Sequence, residues 1–237
     1  MGPQKNLLRK LKGRVIVSCQ PIAGGPMDST AIITTMALAS EFGGAAGLRI
    51  DGAESVRSVA AASSLPIIGI IKRHLDDSPV VITPFLEDVD ALRDAGALII
   101  AYDATQRDRS VPTADIVKRI RELGLLAMAD CARIEDGQQA LMDGAHMLGT
   151  TLSGYAYDNL PDIASPDFGL VQEFAAMDAF VVAEGRFRTP DEAAEAINHG
   201  ADSVVVGSAI TRIEHITTWF SDAIADAVVT PARTYES

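Results

Sequence analysis

The sequence is poor in aromatic residues and in cysteine. Aromatic side chains make up 5% of the 237 residues, and cysteine occurs twice, at Cys19 and Cys131. Both cysteines fall in apolar, strand-like runs, so we expect buried free thiols rather than a disulfide, a metal pair or nucleophiles. Hydrophobic residues nevertheless reach 48%. The core should therefore consist mainly of Ala, Ile, Leu and Val, which suit parallel strands buried on both faces.

Long apolar runs and excess positive charge are also missing. No run is long enough to cross a bilayer, and the first residues lack the apolar segment and cleavage site of a signal peptide. We therefore predict a soluble, cytoplasmic protein with no membrane partner. Twenty Lys and Arg stand against 32 Asp and Glu, a net charge of −12, which argues against a nucleic-acid partner. An anionic small substrate stays compatible with this charge, because a few basic residues in one cleft override remote surface charge.

Sequence motifs for metal binding and for nucleotide or serine chemistry are absent. None of the four histidines pairs with an acid at metal-ligand spacing; they are His74, His146, His199 and His215. We therefore expect no metal site. There is no Walker-type lysine loop and no Gly-x-Ser-x-Gly sequence.

What the chain does contain is a regular alternation of short apolar runs and helical segments. The predicted strands are 14–20, 45–50, 66–72, 97–103, 125–130, 145–152, 180–184 and 203–206. Strands that alternate with helices imply right-handed crossovers and a parallel sheet, and the length is close to the roughly 250 residues of one (β/α)8 barrel. We predict an α/β protein, a single (β/α)8 TIM barrel domain over 1–237, with an N-terminal capping helix over 1–12 and a frayed tail over 230–237.

Glycine turns follow the last two predicted strands. Glu184-Gly185-Arg186 comes after the seventh and Val206-Gly207-Ser208 after the eighth. Glycine lets backbone N–H groups approach an anion, and a helix N-terminus adds a favourable dipole. The loops after strands 7 and 8 commonly bind phosphate in barrels of this kind. The sequence therefore predicts phosphate binding at Gly185, Arg186, Gly207 and Ser208.

Polar residues close the predicted strands, at the end of the barrel where active sites lie. They are Gln20, Arg49, Lys72, Asp103, Asp130, Ser153, Glu184 and Ser208. Lys72 stands out because the apolar run before it should bury part of its stem, and burial favours the neutral amine. Two interpretations stay open for Lys72, a general base or a lysine whose amine reaches solvent past the strand end.

The carboxylates among these residues also have two interpretations each. Glu184 is either the partner of Lys72 or the acid of a salt bridge to Arg186 or Arg212. Asp103 and Asp130 either contact hydroxyl groups and orient Lys72, or cap the helices that follow them.

Eight segments spread over the predicted strand ends resemble a known family. The segments are 13–20 (GRVIVSCQ), 67–73 (IIGIIKR), 82–84 (ITP), 103–105 (DAT), 128–130 (MAD), 149–155 (GTTLSGY), 183–186 (AEGR) and 206–212 (VGSAITR). Together they resemble the N-acetylmannosamine-6-phosphate 2-epimerase family over nearly the whole chain. The resemblance implies an isomerase that interconverts N-acetylmannosamine 6-phosphate and N-acetylglucosamine 6-phosphate in sialic-acid or amino-sugar catabolism. It also implies no metal or organic cofactor, and it favours a homodimer.

The resemblance assigns roles to individual positions. Its catalytic lysine and glutamate correspond to Lys72 and Glu184. Its substrate-binding positions correspond to Gln20, Arg49, Asp130 and Arg212, to which we add Ser153 as the polar residue after the sixth predicted strand. Three residues depart from the family pattern, Ala132 and Ala156 where hydroxyl side chains are common and Asp51 where Asn is frequent. These departures affect the predicted contacts to the sugar.

The expected chemistry removes the proton at C2, next to the C1 carbonyl of the open-chain sugar, and returns a proton to the other face. A lysine base must be neutral near pH 7, which burial and a cation from Arg49, Arg73 or Arg212 favour. A protonated Glu184 is expected to donate to the enolate. Two mechanisms are compatible with this inversion: two bases on opposite faces of C2, or one base and an intermediate that reorients.

Three other functions are compatible with a phosphate-binding barrel. A pentose-phosphate epimerase should carry His and Asp metal ligands, and a Schiff-base lyase should be trapped by borohydride with substrate. A sugar-phosphate sensor would bind the ligand without turning it over.

Overall fold

Parallel strands close into a barrel in sequence order, from β1 through β8 and back to β1. The structure is a computed structural model that describes residues 2–157 and 165–229. The strands are β1 Arg14–Cys19, β2 Gly47–Asp51, β3 Ile67–Ile70, β4 Ile99–Asp103, β5 Leu126–Asp130, β6 Met147–Gly149, β7 Phe180–Glu184 and β8 Ser203–Val206. The pairs Arg14↔Ser203 and Val17↔Val206 close the ring. The predicted (β/α)8 TIM barrel is confirmed.

Helices alternate with these strands. They are α1 Pro3–Leu11, α2 Thr30–Phe42, α3 Ala53–Ala62, α4 Leu86–Ala95, α5 Thr113–Glu122, α6 Ile134–Asp143, α7 Phe168–Ala175, α8 Pro190–Asn198, α9 Ser208–Thr211 and α10 Ile213–Val229. In the described part of the chain, no helix is both long enough and apolar enough to cross a membrane. The predicted capping helix is α1, whose Leu7, Leu8 and Leu11 pack against the apolar interior of the barrel.

The core has two layers because successive residues of a strand face opposite sides of the sheet. In β4, Ile99 and Ala101 belong to the cluster inside the barrel, whereas Ile100 and Tyr102 belong to the cluster under the helices. β2 follows the same alternation, with Leu48 and Ile50 under the helices. This alternation turns Arg49 toward the inside of the barrel, where it is 1% exposed.

Glycine makes the return from helix to strand at equivalent places. Gly96, Gly144 and Gly200 follow α4, α6 and α8 with φ of 104°, 97° and 101°. A left-handed residue at this position ends a helix and turns the chain, and glycine adopts it without steric cost.

Three strands end earlier than predicted. The first strand was predicted over 14–20 and ends at Cys19. The third was predicted over 66–72 and ends at Ile70, because Lys72 forms an isolated antiparallel bridge with Ile82 instead of continuing the ladder. The sixth was predicted over 145–152 and ends at Gly149, because the chain enters turns immediately afterwards. The second strand, in contrast, extends one residue further than predicted, to Asp51. Arg49 therefore lies within a strand and not at its end. The predicted frayed tail at 230–237 lies outside the described residues.

Candidate active site

A cavity of about 590 Å³ opens at the carboxyl ends of the strands. Most of the predicted site residues line it, namely Gln20, Arg49, Lys72, Glu184, Gly185, Arg186, Gly207, Ser208 and Arg212. Other described residues of its wall include Ser18, Thr151, Tyr155, Arg188, His215 and Trp219. Basic side chains on this wall give the acidic protein a local surface suited to an anion.

Arg49 joins two carboxylates across the interior of the barrel. Its Nη1 and Nη2 donate to Asp130 Oδ1 and Oδ2 at 3.0 and 2.6 Å, and Nη1 also donates to Glu184 Oε2 at 2.8 Å. Arg49 and Asp130 are 1% and 0% exposed. Charges this deeply buried require paired, hydrogen-bonded geometry. The salt bridge of Glu184 is therefore to Arg49, and not to Arg186 or Arg212 as one interpretation of the sequence had it.

Thr151 completes this network and was missed in the sequence analysis. Its hydroxyl lies 2.6 Å from Asp130 Oδ1 and 3.1 Å from Glu184 Oε2. The available signal was its place in the segment 149–155, directly after the sixth strand. Because that strand was predicted too long, Thr151 was assigned to the sheet instead of to the site.

Glu184 is poised to carry a proton near neutral pH. Burial raises the pKa of Glu184 to about 7 against the opposing effect of Arg49, and the neighbouring Asp130 adds to the increase. A carboxyl group that is protonated in part of the population near pH 7 is able to donate a hydrogen bond, which an ordinary glutamate is not.

Lys72 faces the same cavity from the end of β3. Its Nζ donates to Gln20 Oε1 at 2.5 Å, and Gln20 in turn donates from Nε2 to Ser18 Oγ at 2.8 Å. Burial lowers the pKa of Lys72, Asp51 opposes this, and Arg49 and Arg212 lower it further. Two of the three cations proposed from the sequence thus act on the lysine. The third, Arg73, forms an ion pair with Asp88 of α4.

The glycine turns after β7 and β8 both reach the cavity wall. Gly185 has φ of 113°, which glycine adopts without strain, and α9 begins at Ser208 immediately after Gly207. A Cβ atom on Gly207 would lie 3.3 Å from Ser18 Cβ. Glycine therefore keeps this turn close to β1 and leaves its backbone open to the cavity.

The two arginines near these turns are held by backbone carbonyl groups. Arg186 donates from Nη1 to Ser153 O and from Nε to Ser165 O, at 2.5 and 2.7 Å. Its guanidinium also lies 5.3 Å from the centre of the Tyr155 ring. Arg212 donates from Nε to Gln20 O at 2.8 Å. Both guanidinium groups are thus pre-positioned at the rim, which limits the entropy they lose when an anion binds.

Three polar residues predicted at strand ends lie outside the described lining of the cavity. Asp130 is beneath Arg49, as described above. Ser153 donates its hydroxyl proton to Asp167 Oδ2 at 2.5 Å, at the start of α7. Asp103 forms ion pairs with Arg107 and Arg109 at 2.6 and 3.3 Å. Asp103 therefore pairs with two arginines of the loop that follows β4, and not with Lys72 as one interpretation of the sequence had it.

The described residues offer neither a cluster of metal ligands nor a reactive thiol. In residues 2–157 and 165–229, no three His, Cys, Asp or Glu side chains group in a way suited to a metal ion. Cys19 and Cys131 are buried free thiols, as expected. Burial raises the pKa of Cys19 to about 11, so the reactive thiolate is disfavoured.

Comparison with known proteins agrees with this geometry. A family model described as "Putative N-acetylmannosamine-6-phosphate epimerase" matches residues 33–226. The chain belongs to this family. The resemblance inferred from the strand-end segments is thereby confirmed.

Relatives of this epimerase family match the chain at high identity. It is 50% identical over 221 residues to a Pasteurella multocida protein named "Putative N-acetylmannosamine-6-phosphate 2-epimerase", covering 93% of this chain and 96% of that one. It is 51% identical over 226 residues to the "Bifunctional enzyme NanE/NanK" of Brucella melitensis, covering 95% of this chain and 43% of that enzyme. The chain thus spans less than half the length of the bifunctional relatives.

A solved structure in the family has the same fold. The N-acetylmannosamine-6-phosphate 2-epimerase from Clostridium perfringens superposes with a TM-score of 0.89 and 41% sequence identity. The match covers 92% of this chain and 96% of that chain. The barrel architecture of the epimerase family therefore applies to this chain throughout the matched region.

Proposed function

We propose that this chain interconverts N-acetylmannosamine 6-phosphate and N-acetylglucosamine 6-phosphate by proton removal and return at C2, in sialic-acid or amino-sugar catabolism. The observation that carries the proposal is the presence, in one cavity, of Lys72 and Glu184 with pKa values shifted in opposite directions. Burial lowers the pKa of the Lys72 amine and raises the pKa of the Glu184 carboxyl to about 7. Membership of the epimerase family and the names of its relatives supply the substrate.

In the proposed reaction, Lys72 is the base. The hydrogen at C2 of the open-chain sugar is acidic because it is next to the C1 aldehyde. The neutral amine takes this proton, and the electron pair of the C–H bond moves into an enolate with negative charge on the C1 oxygen. A proton then returns to the other face of C2, either from a second acid on that face or from the Lys72 ammonium after the enolate has reoriented, and gives the epimer. Gln20 accepts a hydrogen bond from the Lys72 amine and so holds the lysine side chain in the cavity.

Glu184 is the proposed donor to the enolate oxygen. A donor placed where negative charge develops stabilises the transition state more than the ground state. Arg49, Asp130 and Thr151 fix the carboxyl group through hydrogen bonds. The Arg49 Nε atom is buried and has no hydrogen-bond partner among the described residues.

Substrate contacts are proposed at Gln20, Arg49 and Arg212, and the 6-phosphate is placed between the glycine turns. The predicted contacts of Asp130 and Ser153 with substrate stay predictions, because both side chains already bind protein groups, Arg49 and Asp167. No step in this scheme calls for a metal or an organic cofactor.

The test is solvent exchange at C2. The protein is incubated with N-acetylmannosamine 6-phosphate in heavy water, and the product is analysed by mass spectrometry and NMR. We expect N-acetylglucosamine 6-phosphate with deuterium at C2. If the protein consumes neither sugar phosphate, the proposed function is wrong.

Replacement of Glu184 by Gln is expected to lower kcat by about 10²- to 10³-fold, with KM changed by only a few-fold. Gln keeps the size of the side chain and an N–H donor, but its amide cannot transfer a proton to the enolate oxygen, and loss of this proton transfer acts mainly on the chemical step. Steady-state kinetics in both directions measure this. Glu195→Gln, at an exposed position of α8, is the matched control and should leave both parameters unchanged. A rise in KM at constant kcat would instead assign Glu184 to substrate positioning.

We also propose a homodimer. Two-fold assemblies are the commonest oligomers, and α10 exposes large apolar side chains that a partner copy would bury. Ile213, Phe220 and Ile224 are 57%, 68% and 64% exposed. Sedimentation or light scattering should give twice the chain mass, and Phe220→Asp should shift the protein toward the monomer. A monomeric wild-type protein at micromolar concentration would contradict the proposal.

A further inference from the structure

Asp51, the last residue of β2, contacts Lys72 at two points. Its Oδ1 accepts a hydrogen bond from the Lys72 backbone N–H at 3.1 Å. Its Oδ2 lies 3.8 Å from Lys72 Nζ, and the two side chains are 33% and 35% exposed. We propose that Asp51 is a positioning residue for Lys72, which holds the backbone beneath the lysine and stabilises its ammonium form, and so sets the pH at which the neutral amine becomes available. The inference rests on the proposed function in naming Lys72 the base.

The backbone contact lies where the regular pairing of β2 with β3 ends. The last register pair is Asp51↔Ile70, and Gly52 N donates to Ile70 O at 2.9 Å. After β3, the Ile71 N–H donates to Thr83 Oγ1 at 3.3 Å, and the Lys72 N–H that follows donates to the Asp51 side chain instead of to a backbone carbonyl. The carboxylate thus anchors the point at which the chain leaves the barrel and Lys72 enters the cavity.

The charge contact opposes the effect of burial on the lysine. Burial is the main influence that lowers the pKa of Lys72, and Asp51 is the strongest influence that raises it. Arg49 of β2 and Arg212, after α9, lower it further, and Glu184 of β7 raises it. Asp130 and Glu184 are bound to Arg49, whereas the ion pair of Asp51 is with Lys72.

This arrangement has a catalytic consequence. A general base works best when its pKa lies near the working pH, because a base that loses its proton too easily also accepts one weakly. Without the Asp51 charge, Lys72 would be neutral over a wider pH range but would be a weaker base. We therefore expect that Asp51 raises the rate at high pH and lowers the fraction of active enzyme at low pH.

The first test is the pH dependence of kcat/KM for N-acetylmannosamine 6-phosphate with Asp51→Asn. Asn keeps an oxygen for the Lys72 N–H but removes the charge. The rising limb at low pH should move to lower pH by roughly 0.5 to 1 unit, as expected for loss of one partly screened charge at this distance. Asp90→Asn removes the same charge from a carboxylate that pairs with Arg119 and is 44% exposed, and it should leave the limb in place.

Asp51→Ala is the second variant, and it separates the two contacts. It should move the limb in the same direction and, because the backbone hydrogen bond is also lost, lower kcat below that of Asp51→Asn. A limb that stays at the wild-type pH in both variants would overturn the inference, since a purely structural contact would change the rate and not the pH profile.

A readout without turnover separates this inference from the proposed function. Acetic anhydride reacts with neutral amines, and mass spectrometry gives the labelling of Lys72 as a function of pH relative to the exposed Lys118. In Asp51→Asn, half-maximal labelling of Lys72 should occur at lower pH than in the wild type. A shifted labelling curve in a protein that does not epimerise the sugar would reject the proposed function and support the role of Asp51. Normal epimerisation with an unshifted curve would reject the role of Asp51 alone.

Discussion

Lys72→Met is expected to lower kcat by about 10³-fold or more while the sugar phosphate still binds. Methionine replaces the stem of the lysine with little change in packing but removes the amine that takes the C2 proton, and general-base catalysis commonly contributes about 10²- to 10⁴-fold. The amine lies in the cavity with Gln20 at 2.5 Å and Glu184 on the same wall. Turnover assays combined with calorimetric binding of the substrate measure the two effects separately.

The matched control for this substitution is Lys118→Met, which makes the same chemical change at an exposed position of α5. Surface changes of this kind usually have small effects, so its kinetics should equal those of the wild type. Wild-type turnover of Lys72→Met would mean that the lysine only reaches past the strand end to solvent. Incubation with substrate and borohydride tests the Schiff-base alternative. Borohydride would reduce an imine at Lys72 to a stable secondary amine, and detection of this amine would mean that the lysine acts through an imine and not as a general base.

The second large effect is expected for the phosphate group of the substrate. Unphosphorylated N-acetylmannosamine should be used with a kcat/KM lower by several powers of ten. The turns at Gly185 and Gly207 lie on the cavity wall together with Arg186 and Arg212, and we expect their backbone N–H groups to bind the phosphate. Charge-assisted hydrogen bonds contribute roughly 1.5–3 kcal/mol each, so a handful accounts for such a loss. The protein carries a net charge of −12, so attraction of the anion must come from this local field.

Gly207→Val tests the same phosphate site by a change in the protein instead of in the substrate. Its Cβ would lie 3.3 Å from Ser18 Cβ, and the added methyl groups would occupy the space that a phosphate oxygen needs. We expect a large loss of kcat/KM for the phosphorylated sugar and little change for the unphosphorylated one, which serves as an internal control. Inorganic phosphate should compete weakly with substrate. Comparable efficiency of the wild type on both sugars would contradict the phosphate site and the substrate proposed here.

The sequence by itself determined the barrel and the identity of most residues around its mouth. The alternation of apolar runs with helices is a local property, readable over ten or fifteen residues. Once the strands are parallel and closed, their carboxyl ends must meet at one end of the barrel. That constraint was enough to bring Gln20, Lys72, Glu184 and the two glycine turns to one place before any contact was known.

Tertiary structure alone decided which of these residues touch. Arg49 pairs with Asp130 and Glu184, 81 and 135 positions away, and sequence holds no local signal for such a choice. Strand ends also moved by one to three residues from their predicted places, and the earlier end of β6 at Gly149 placed Thr151 in the site. Local sequence patterns thus identify the residues at the carboxyl ends of the strands, whereas the contacts among these residues depend on closure of the barrel.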